Sequence, residues 1–171
     1  MRSSLAIVLF LFSTACKQQV VLPVHQVDDP ISFKIVVGEH WFDDAKVAVV
    51  NWRSATHGKF DPELLATRRC TNDADLCIQV VDLIDHCGPV TEGSWWGCWQ
   101  TDRLIQIESD VPPDIKVSVI MHEIGHKLGL MHEDGSVMDH GRPWEEKKNP
   151  TISEGTLKKL CERNEKFCTS R

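Results

Sequence analysis

Apolar and polar residues alternate in the segment from Phe33 to Val37, which is also rich in residues that favour strands. This pattern predicts a β-strand. The next apolar residues recur every three or four positions, as they do on one face of a helix: Phe42, Ala45, Val49 and Trp52. The chain is therefore predicted to pass from a strand near residues 33–37 into a helix near residues 43–55, which Gly58 closes.

The middle of the chain carries three further strand patterns. Residues 77–83, CIQVVDL, are rich in apolar and β-branched residues and predict a central strand. Residues 95–100 and 104–109 flank the short polar segment 101–103, and this arrangement predicts a β-hairpin. The segment 60–69 fits neither a strand nor a helix pattern, so its structure stays open.

The last third of the chain carries two helix patterns. The first follows Pro112 and Pro113, and its buried stripe is spaced three and four residues apart: Val117, Ile120, Ile124 and Leu128. The second begins at Ser153, which with Glu154 has the character of a helix start, and extends to about Arg163. No internal repeat and no second domain are evident.

The first fifteen residues have the features of a secretion signal. Arg2 is their only charge, and an unbroken apolar run extends from Leu5 to Phe12, before three small residues. The run is too short for a transmembrane helix. The chain is accordingly divided into a signal peptide (residues 1–15), a tether (residues 16–30) and one domain (residues 31–171).

The charge of the mature chain excludes one class of partner. Without Arg2, 18 basic residues face 25 acidic ones, so the net charge moves from −6 to −7. No basic patch stands out, which argues against nucleic-acid binding. A net charge of this size mainly serves solubility, and the protein is expected to be an exported monomer.

Seven cysteines are present: Cys16, Cys70, Cys77, Cys87, Cys98, Cys161 and Cys168. The last six suit an oxidising compartment and up to three disulfides. Sequence alone leaves the pairing open. The set that joins nearest neighbours is Cys70–Cys77, Cys87–Cys98 and Cys161–Cys168.

Cys16 follows Ser-Thr-Ala, and this run resembles the lipobox of bacterial lipoproteins, although Ser13 stands where leucine is usual. If it is a lipobox, Cys16 is acylated and anchors the protein to a membrane of the bacterial cell envelope or surface. The alternative is ordinary cleavage after Ala15, which leaves a secreted protein with a free cysteine.

Residues 122–132, HEIGHKLGLMH, concentrate three of the eight histidines in eleven positions. On a helix, His122 and His126 project from one face a turn apart and can ligate one Zn²⁺. Gly129 tolerates the left-handed conformation that reverses the chain, which would return His132 as a third ligand. Three protein ligands leave a fourth position for water, as in catalytic zinc sites.

Glu123 directly follows the first histidine and need not bind the metal. Its predicted role is that of the general base, which accepts a proton from the water that zinc activates and passes it to the leaving amine. Five specified residues at fixed offsets arise by chance in roughly one in 100,000 chains of this length, so the set is not an accident of composition. The alternative is a site that binds zinc without cleaving.

These residues resemble the zinc motif of the metzincin metalloproteases, HExxHxxGxxH. Gly135-Ser-Val-Met138 looks like the Met-turn that passes beneath the zinc in that family, with Met138 as its methionine. The short gap from His132 to Met138, and the order of elements over residues 31–165, are similar to bacterial matrixin-like proteases. The resemblance implies an α+β fold: a twisted mixed sheet, a long active-site helix and a C-terminal helix, with the zinc in a cleft below the edge strand.

Three departures place the chain in a divergent matrixin-like branch. Glu133 follows the third histidine where matrixins usually have serine, and Asp139 stands where they often have tyrosine. The chain has no tyrosine, so the tyrosine ligand of astacins and serralysins is absent. The resemblance implies a zinc endopeptidase that acts on proteins or peptides. The rivals are a non-catalytic, zinc-stabilised surface binding protein and a zinc hydrolase of non-peptide bonds.

Two interpretations of the tryptophans in residues 95–100 stay open. By resemblance this segment is the edge strand beside the cleft, and Trp95, Trp96 and Trp99 would help to form the rim of the cleft. Alternatively, they belong to a disulfide-pinned loop and cover the core.

The remaining histidines and a set of aspartates have no ligand spacing. Surface or hydrogen-bonded roles are expected for His25, His40, His57, His86 and His140. Calcium is possible by resemblance, through Asp73, Asp75, Asp82 and Asp85, but no EF-hand-like spacing supports it.

Overall fold

The computed structural model describes residues 33–84, 87, 96–139 and 151–167. In chain order the elements are β1 (Lys34–Val37), a 3₁₀ turn (Glu39–Trp41), α1 (Phe42–Ala55), β2 (Glu63–Ala66), β3 (Leu76–Val81), β4 (Gly97–Thr101), β5 (Leu104–Glu108), α2 (Lys116–Lys127), α3 (Glu154–Arg163) and a second 3₁₀ turn (Glu165–Phe167). The predicted α+β class is confirmed.

The strands form one mixed sheet in the order β2-β1-β3-β5-β4. The first four strands in that order are mutually parallel, while β4 runs antiparallel to β5 as the second arm of a hairpin. The predicted central strand and hairpin are therefore confirmed. Thr101, which was predicted to lie in the turn, instead ends β4 and pairs with Leu104.

The segment 60–69, whose structure the sequence left open, contains the edge strand β2. Glu63–Ala66 pairs in parallel with β1, and none of its four side chains is buried. Its Leu64 packs against the core but is only partly buried, so the strand shows no apolar alternation. Main-chain pairing with β1 helps to hold it in place without leaving a pattern in the sequence.

Both long helices pack on the same face of the sheet. Alternate residues of the strands, such as Ile35 and Ile78, share one buried core with the apolar stripes of α1 and α2. At its centre the fully buried Trp52 of α1 donates from Nε1 to the carbonyl of Met121 in α2, at 3.0 Å. This contact sets the position of α2 against α1 and, with it, the position of the histidine motif.

The C-terminal helix begins where the sequence predicts. The Ser153 hydroxyl accepts a hydrogen bond from the backbone N–H of Thr156 at 3.0 Å, so it caps the first turn of α3. Its buried Leu160 joins the same core.

Two of the predicted disulfides are present in the described part of the chain. Cys70–Cys77 ties the loop before β3 to that strand, and Cys87–Cys98 ties β4 to the segment before it, with Cα–Cα distances of 5.6 and 5.7 Å. Cys161 is also disulfide-bonded. Cys168 lies outside the described residues, so the pair Cys161–Cys168 stays a prediction.

The predicted signal peptide (residues 1–15), the tether (residues 16–30) and the lipidation site Cys16 lie outside the described residues as well. Of the helices that are described, none combines the length and the apolar character needed to cross a membrane.

We predict that Trp52→Phe lowers the free energy of unfolding by about 1–3 kcal/mol, because it removes the buried hydrogen bond and leaves space between α1 and α2. Val50→Ala, on the exposed face of α1, should change the same quantity by less than about 0.5 kcal/mol. Urea denaturation of the three proteins measures this. Equal midpoints for Trp52→Phe and wild type would contradict the role given to this contact.

Candidate metal centre

Helix α2 carries His122, Glu123 and His126 along a buried face. Its residues from Ser118 to Gly125 are all buried, and His126 is partly buried. Because a helix advances one turn in about 3.6 residues, the two imidazoles lie one above the other on the same side. The rings are 4.7 Å apart between centroids and meet edge to face.

The chain reverses just after α2. Gly129 has a φ of +91°, which is the left-handed region predicted for it and which glycine adopts without strain. Its N–H donates to the carbonyl of His126, and the N–H of Leu130 donates to the carbonyl of Gly125, each at 2.9 Å. This pair of bonds is a Schellman motif. The reversal carries His132 back toward the helix.

The three imidazoles converge on one point. The Nε2 atom of His126 lies 3.1 Å from the Nε2 atom of His122 and 3.1 Å from that of His132. The candidate ligand atoms of the three residues all lie within 4.8 Å of one another. The sequence predicted this set of three, and the fold brings all of it together.

The tautomers of two rings follow from their other nitrogens. Nδ1 of His122 lies 2.9 Å from the carbonyl oxygen of Val137, and Nδ1 of His126 lies 2.9 Å from that of Leu130. A carbonyl oxygen only accepts, so in each ring Nδ1 carries the proton and donates. In the neutral imidazole, Nε2 is then a bare lone pair.

Two bare lone pairs 3.1 Å apart cannot hydrogen-bond to each other, and they repel unless a cation lies between them. Zn–N bonds of 2.0–2.1 Å at tetrahedral angles separate the nitrogens by about 3.3 Å, close to the observed spacing. Carbonyl partners on Nδ1 are also what metal-bound histidines commonly have. The three histidines could therefore hold a metal ion, and zinc fits the donor set.

Glu123 points away from water and toward the edge strand. It is 3% exposed, and its Oε2 atom has no hydrogen-bond partner in the described part of the chain. Burial raises the pKa of Glu123 to about 8, while a hydrogen bond from the backbone of Trp99 acts in the opposite direction. A bound dication would also favour the ionised carboxylate.

The edge strand β4 reaches Glu123 because of a glycine. A Cβ atom at Gly97 would lie 2.8 Å from Oε1 of Glu123 and 2.8 Å from a methyl carbon of Val119. Any larger residue at this position would therefore have to displace either the strand or the carboxylate. The Cys87–Cys98 disulfide fixes the neighbouring residue of the same strand.

A turn at residues 133–139 lies against the site and contacts His122. The N–H of Glu133 donates to the carbonyl of Met138 at 2.8 Å, and the N–H of Met138 donates to the Ser136 hydroxyl at 2.9 Å. The turn thus presents the Val137 carbonyl to His122. It also buries Met138 completely against α2, at the position of the methionine in the sequence-predicted Met-turn.

Met138 can approach α2 because residue 125 is a glycine. A Cβ atom at Gly125 would overlap with the Met138 sulfur and lie 3.3 Å from the Trp52 ring. Gly125 directly precedes His126 on α2, so this contact lies next to the histidine pair.

The C-terminal helix α3 holds the two loops of the site. Arg163 donates to the carbonyl of Gly129 at 3.0 Å, and Lys159 forms a 2.6 Å ion pair with Glu133. Both contacts flank His132. The ion pair is partly exposed and contributes little by itself, but it gives Glu133, one of the departures from the matrixin pattern, a partner within this fold. Asp139, the second residue that departs from the matrixin pattern, accepts a hydrogen bond from the N–H of Gly135 at 2.6 Å.

The three tryptophans do not share one environment. Trp99 is 40% exposed, and its ring stacks on His126, with centroids 6.1 Å apart and planes 17° apart. Trp96 is partly buried and packs against the core. Trp95 lies outside the described residues.

The acidic residues considered for calcium have protein partners where they are described. Asp73 pairs with Lys34 at 2.6 Å, and this bond lowers the pKa of Asp73 to about 2. Asp75 accepts from the N–H of Lys34, and Asp82 accepts from the Ser109 hydroxyl. Neither His40 nor His57 belongs to the histidine cluster. The other residues considered lie outside the described part: His25, His86, His140 and Asp85.

Sequence reasoning missed Gly97 and Gly125 as residues of the site. The available signal was the position of Gly125 in a helix interior, where glycine costs about 1 kcal/mol relative to alanine and so indicates a packing constraint. Gly97 gave a weaker signal, as a glycine inside a strand that a second backbone or side chain approaches closely.

A comparison with protein-family models found no match, and a comparison with curated protein sequences found no relative of this chain.

We predict that Gly125→Ala destabilises the fold by about 1–3 kcal/mol, because the added methyl group overlaps with Met138. In a Met138→Ala background the same change should cost less, since the clash is gone. Gly155→Ala in α3, where the nearest side-chain atom is 3.6 Å away, serves as the control and should be neutral or stabilising by up to about 1 kcal/mol. Equal costs of Gly125→Ala in both backgrounds, measured by urea denaturation, would refute the contact.

Proposed function

We propose that the protein is a zinc-dependent endopeptidase of the metzincin class, closest to the bacterial matrixin-like branch. One observation supports the proposal: the Nε2 atoms of three histidines converge, and the neighbouring Glu123 is buried with one carboxylate oxygen, Oε2, that has no hydrogen-bond partner in the described part of the chain. A metal-binding cluster and a buried base on one helix are what hydrolysis by an activated water requires.

In this proposal His122, His126 and His132 hold one zinc ion. Bound zinc would supply a Lewis acid that polarises the substrate carbonyl and acidifies water. The protein's contribution is to fix the ligand geometry. The Val137 and Leu130 carbonyls hold two of the rings in the tautomer that presents Nε2.

Glu123 is the residue that moves protons. Its free oxygen, Oε2, accepts a proton from the attacking water and then donates it to the leaving amine. Burial raises the proton affinity of the carboxylate, while a bound dication would keep it ionised and able to accept the proton. The Trp99 backbone holds the group in place from the edge strand.

A peptide is the substrate that the surroundings favour. Strand β4 is the last strand of the sheet and pairs only with β5 among the described strands. An extended peptide could therefore add to it through main-chain hydrogen bonds. Because Gly97 of this strand contacts Glu123, such a peptide would lie beside the base.

The two rivals predict different behaviour from the same site. A surface binding protein that keeps zinc for stability has no use for the buried Glu123 carboxylate, because desolvation of that group costs free energy. A zinc hydrolase of non-peptide bonds would use Glu123 but not the edge strand. Cleavage of proteins, as opposed to small amides or esters, separates these cases.

The proposed location is outside the cytoplasm. The disulfides suit an oxidising compartment, and the sequence of residues 1–16 has the features of an export signal with a lipid-modified cysteine. We propose an exported monomer, anchored to the bacterial envelope if Cys16 is acylated and secreted otherwise.

We predict that Glu123→Gln keeps about one zinc per chain but cleaves a mixed pool of proteins at least about 100-fold more slowly than wild type, because the amide cannot accept the proton. Glu108→Gln, at a buried glutamate outside the site, is the control and should retain cleavage. Zinc is measured by elemental analysis and cleavage by mass spectrometry.

Zinc in both Glu123→Gln and wild type with no cleavage by either, also across small amide and ester substrates, would favour the binding-protein alternative. Cleavage by Glu123→Gln at the wild-type rate would remove Glu123 from the mechanism.

A further inference from the structure

Trp99 stacks on a histidine of the candidate metal centre, His126, from outside the histidine cluster. Its ring lies nearly parallel to that of His126, with planes 17° apart and centroids 6.1 Å apart. These values fall in the range of offset-stacked aromatic pairs.

The contact follows from how β4 lies along α2. Gly97 contacts Val119 and Glu123, and Trp99, two residues on and on the same side of the strand, reaches His126, one turn further along the helix. Lys127 then bonds to the carbonyl of Asp102. The strand and the helix therefore run side by side. Backbone contacts with α2 before Trp99, at Gly97, and after it, at Asp102, fix the position of the indole.

His126 needs this support more than His122 does. His122 is 4% exposed and enclosed by its helix and by the turn that carries Val137. His126 is only partly buried. Its Nδ1 bond to the Leu130 carbonyl holds one edge of the ring. The indole of Trp99 lies against one face of the ring and so restricts its tilt.

We propose that Trp99 is a positioning residue for the metal: its indole fixes the plane of the His126 imidazole and shields one face of that ring from water. The inference rests on the proposed zinc site but not on proteolysis. Residues that orient metal ligands typically contribute 10–100-fold to metal affinity.

Three substitutions separate stacking from bulk. Trp99→Phe keeps an aromatic face, Trp99→Leu keeps apolar bulk without a ring, and Trp99→Ala removes both. We expect the zinc dissociation constant, measured by competition with a chromophoric chelator, to rise about 10-fold or more in the leucine and alanine variants. It should stay within about threefold of wild type in the phenylalanine variant. Val50→Ala is the control for the loss of an exposed apolar side chain, and it should leave the zinc dissociation constant unchanged.

Replacement of zinc by cobalt(II) gives a second measurement, the visible absorption spectrum, which does not depend on the overall stability of the fold. The visible absorption of Co²⁺ depends on ligand geometry, so the phenylalanine variant should keep the wild-type bands while the leucine and alanine variants shift them. If the alanine variant fails to fold, comparison of the leucine and phenylalanine variants still tests whether an aromatic ring at residue 99 is needed. Wild-type affinity and bands in Trp99→Leu would overturn the proposal.

Cleavage is recorded on the same proteins. A wild type that binds zinc but cleaves nothing removes the proposed function, while the order of zinc affinities still tests Trp99. Cleavage by the wild type, with zinc affinity that does not depend on residue 99, leaves the proposed function standing and removes this inference alone.

Discussion

The two hydrogen bonds from histidine Nδ1 atoms to backbone carbonyls are the interactions on which the site depends. They put the proton of His122 and of His126 on the nitrogen that faces away from the cluster. As a consequence the nitrogens that face each other at 3.1 Å are lone pairs, and only a cation turns that repulsion into binding. Without the carbonyls of Val137 and Leu130, the same histidines could hydrogen-bond to one another and need no metal.

Most of the surrounding fold serves to place those carbonyls. The Schellman motif at Gly129 positions Leu130, and the turn at residues 133–139 positions Val137. Gly125 lets Met138 lie against α2 next to the histidines, while α3 holds both loops through Arg163 and Lys159. Helix α2 itself is fixed by Trp52. The three histidines and the carbonyl partners of two of them thus belong to one packed unit.

The part of this arrangement that is local in sequence could be predicted. The spacing of His122, Glu123 and His126 follows from helix geometry, and the left-handed Gly129 follows from the need to reverse the chain. The long helices and the hairpin could be predicted because their apolar residues recur at a regular spacing. Strand β2 could not be predicted, since none of its four side chains is fully buried and no alternation of apolar and polar residues results.

The contacts between distant segments could not be predicted. Whether Gly97 meets Glu123, or Trp99 meets His126, depends on how β4 lies against α2, and no periodicity encodes that register. The same is true of the fit between Gly125 and Met138, which requires the turn to fold under the helix. For Trp96 and Trp99 the sequence left a cleft rim and a core cover equally open, and the structure gives the two residues different surroundings.

The central claim is that three histidines of this chain hold one zinc ion, and X-ray absorption at the zinc edge tests it most directly. We expect the zinc to be surrounded by three imidazole nitrogens and one further light atom at about 2.0–2.1 Å. We also expect that this set of ligands loses one imidazole in His132→Ala and is unchanged in His57→Ala. A sulfur shell near 2.3 Å, or a spectrum that does not depend on His132, would contradict it.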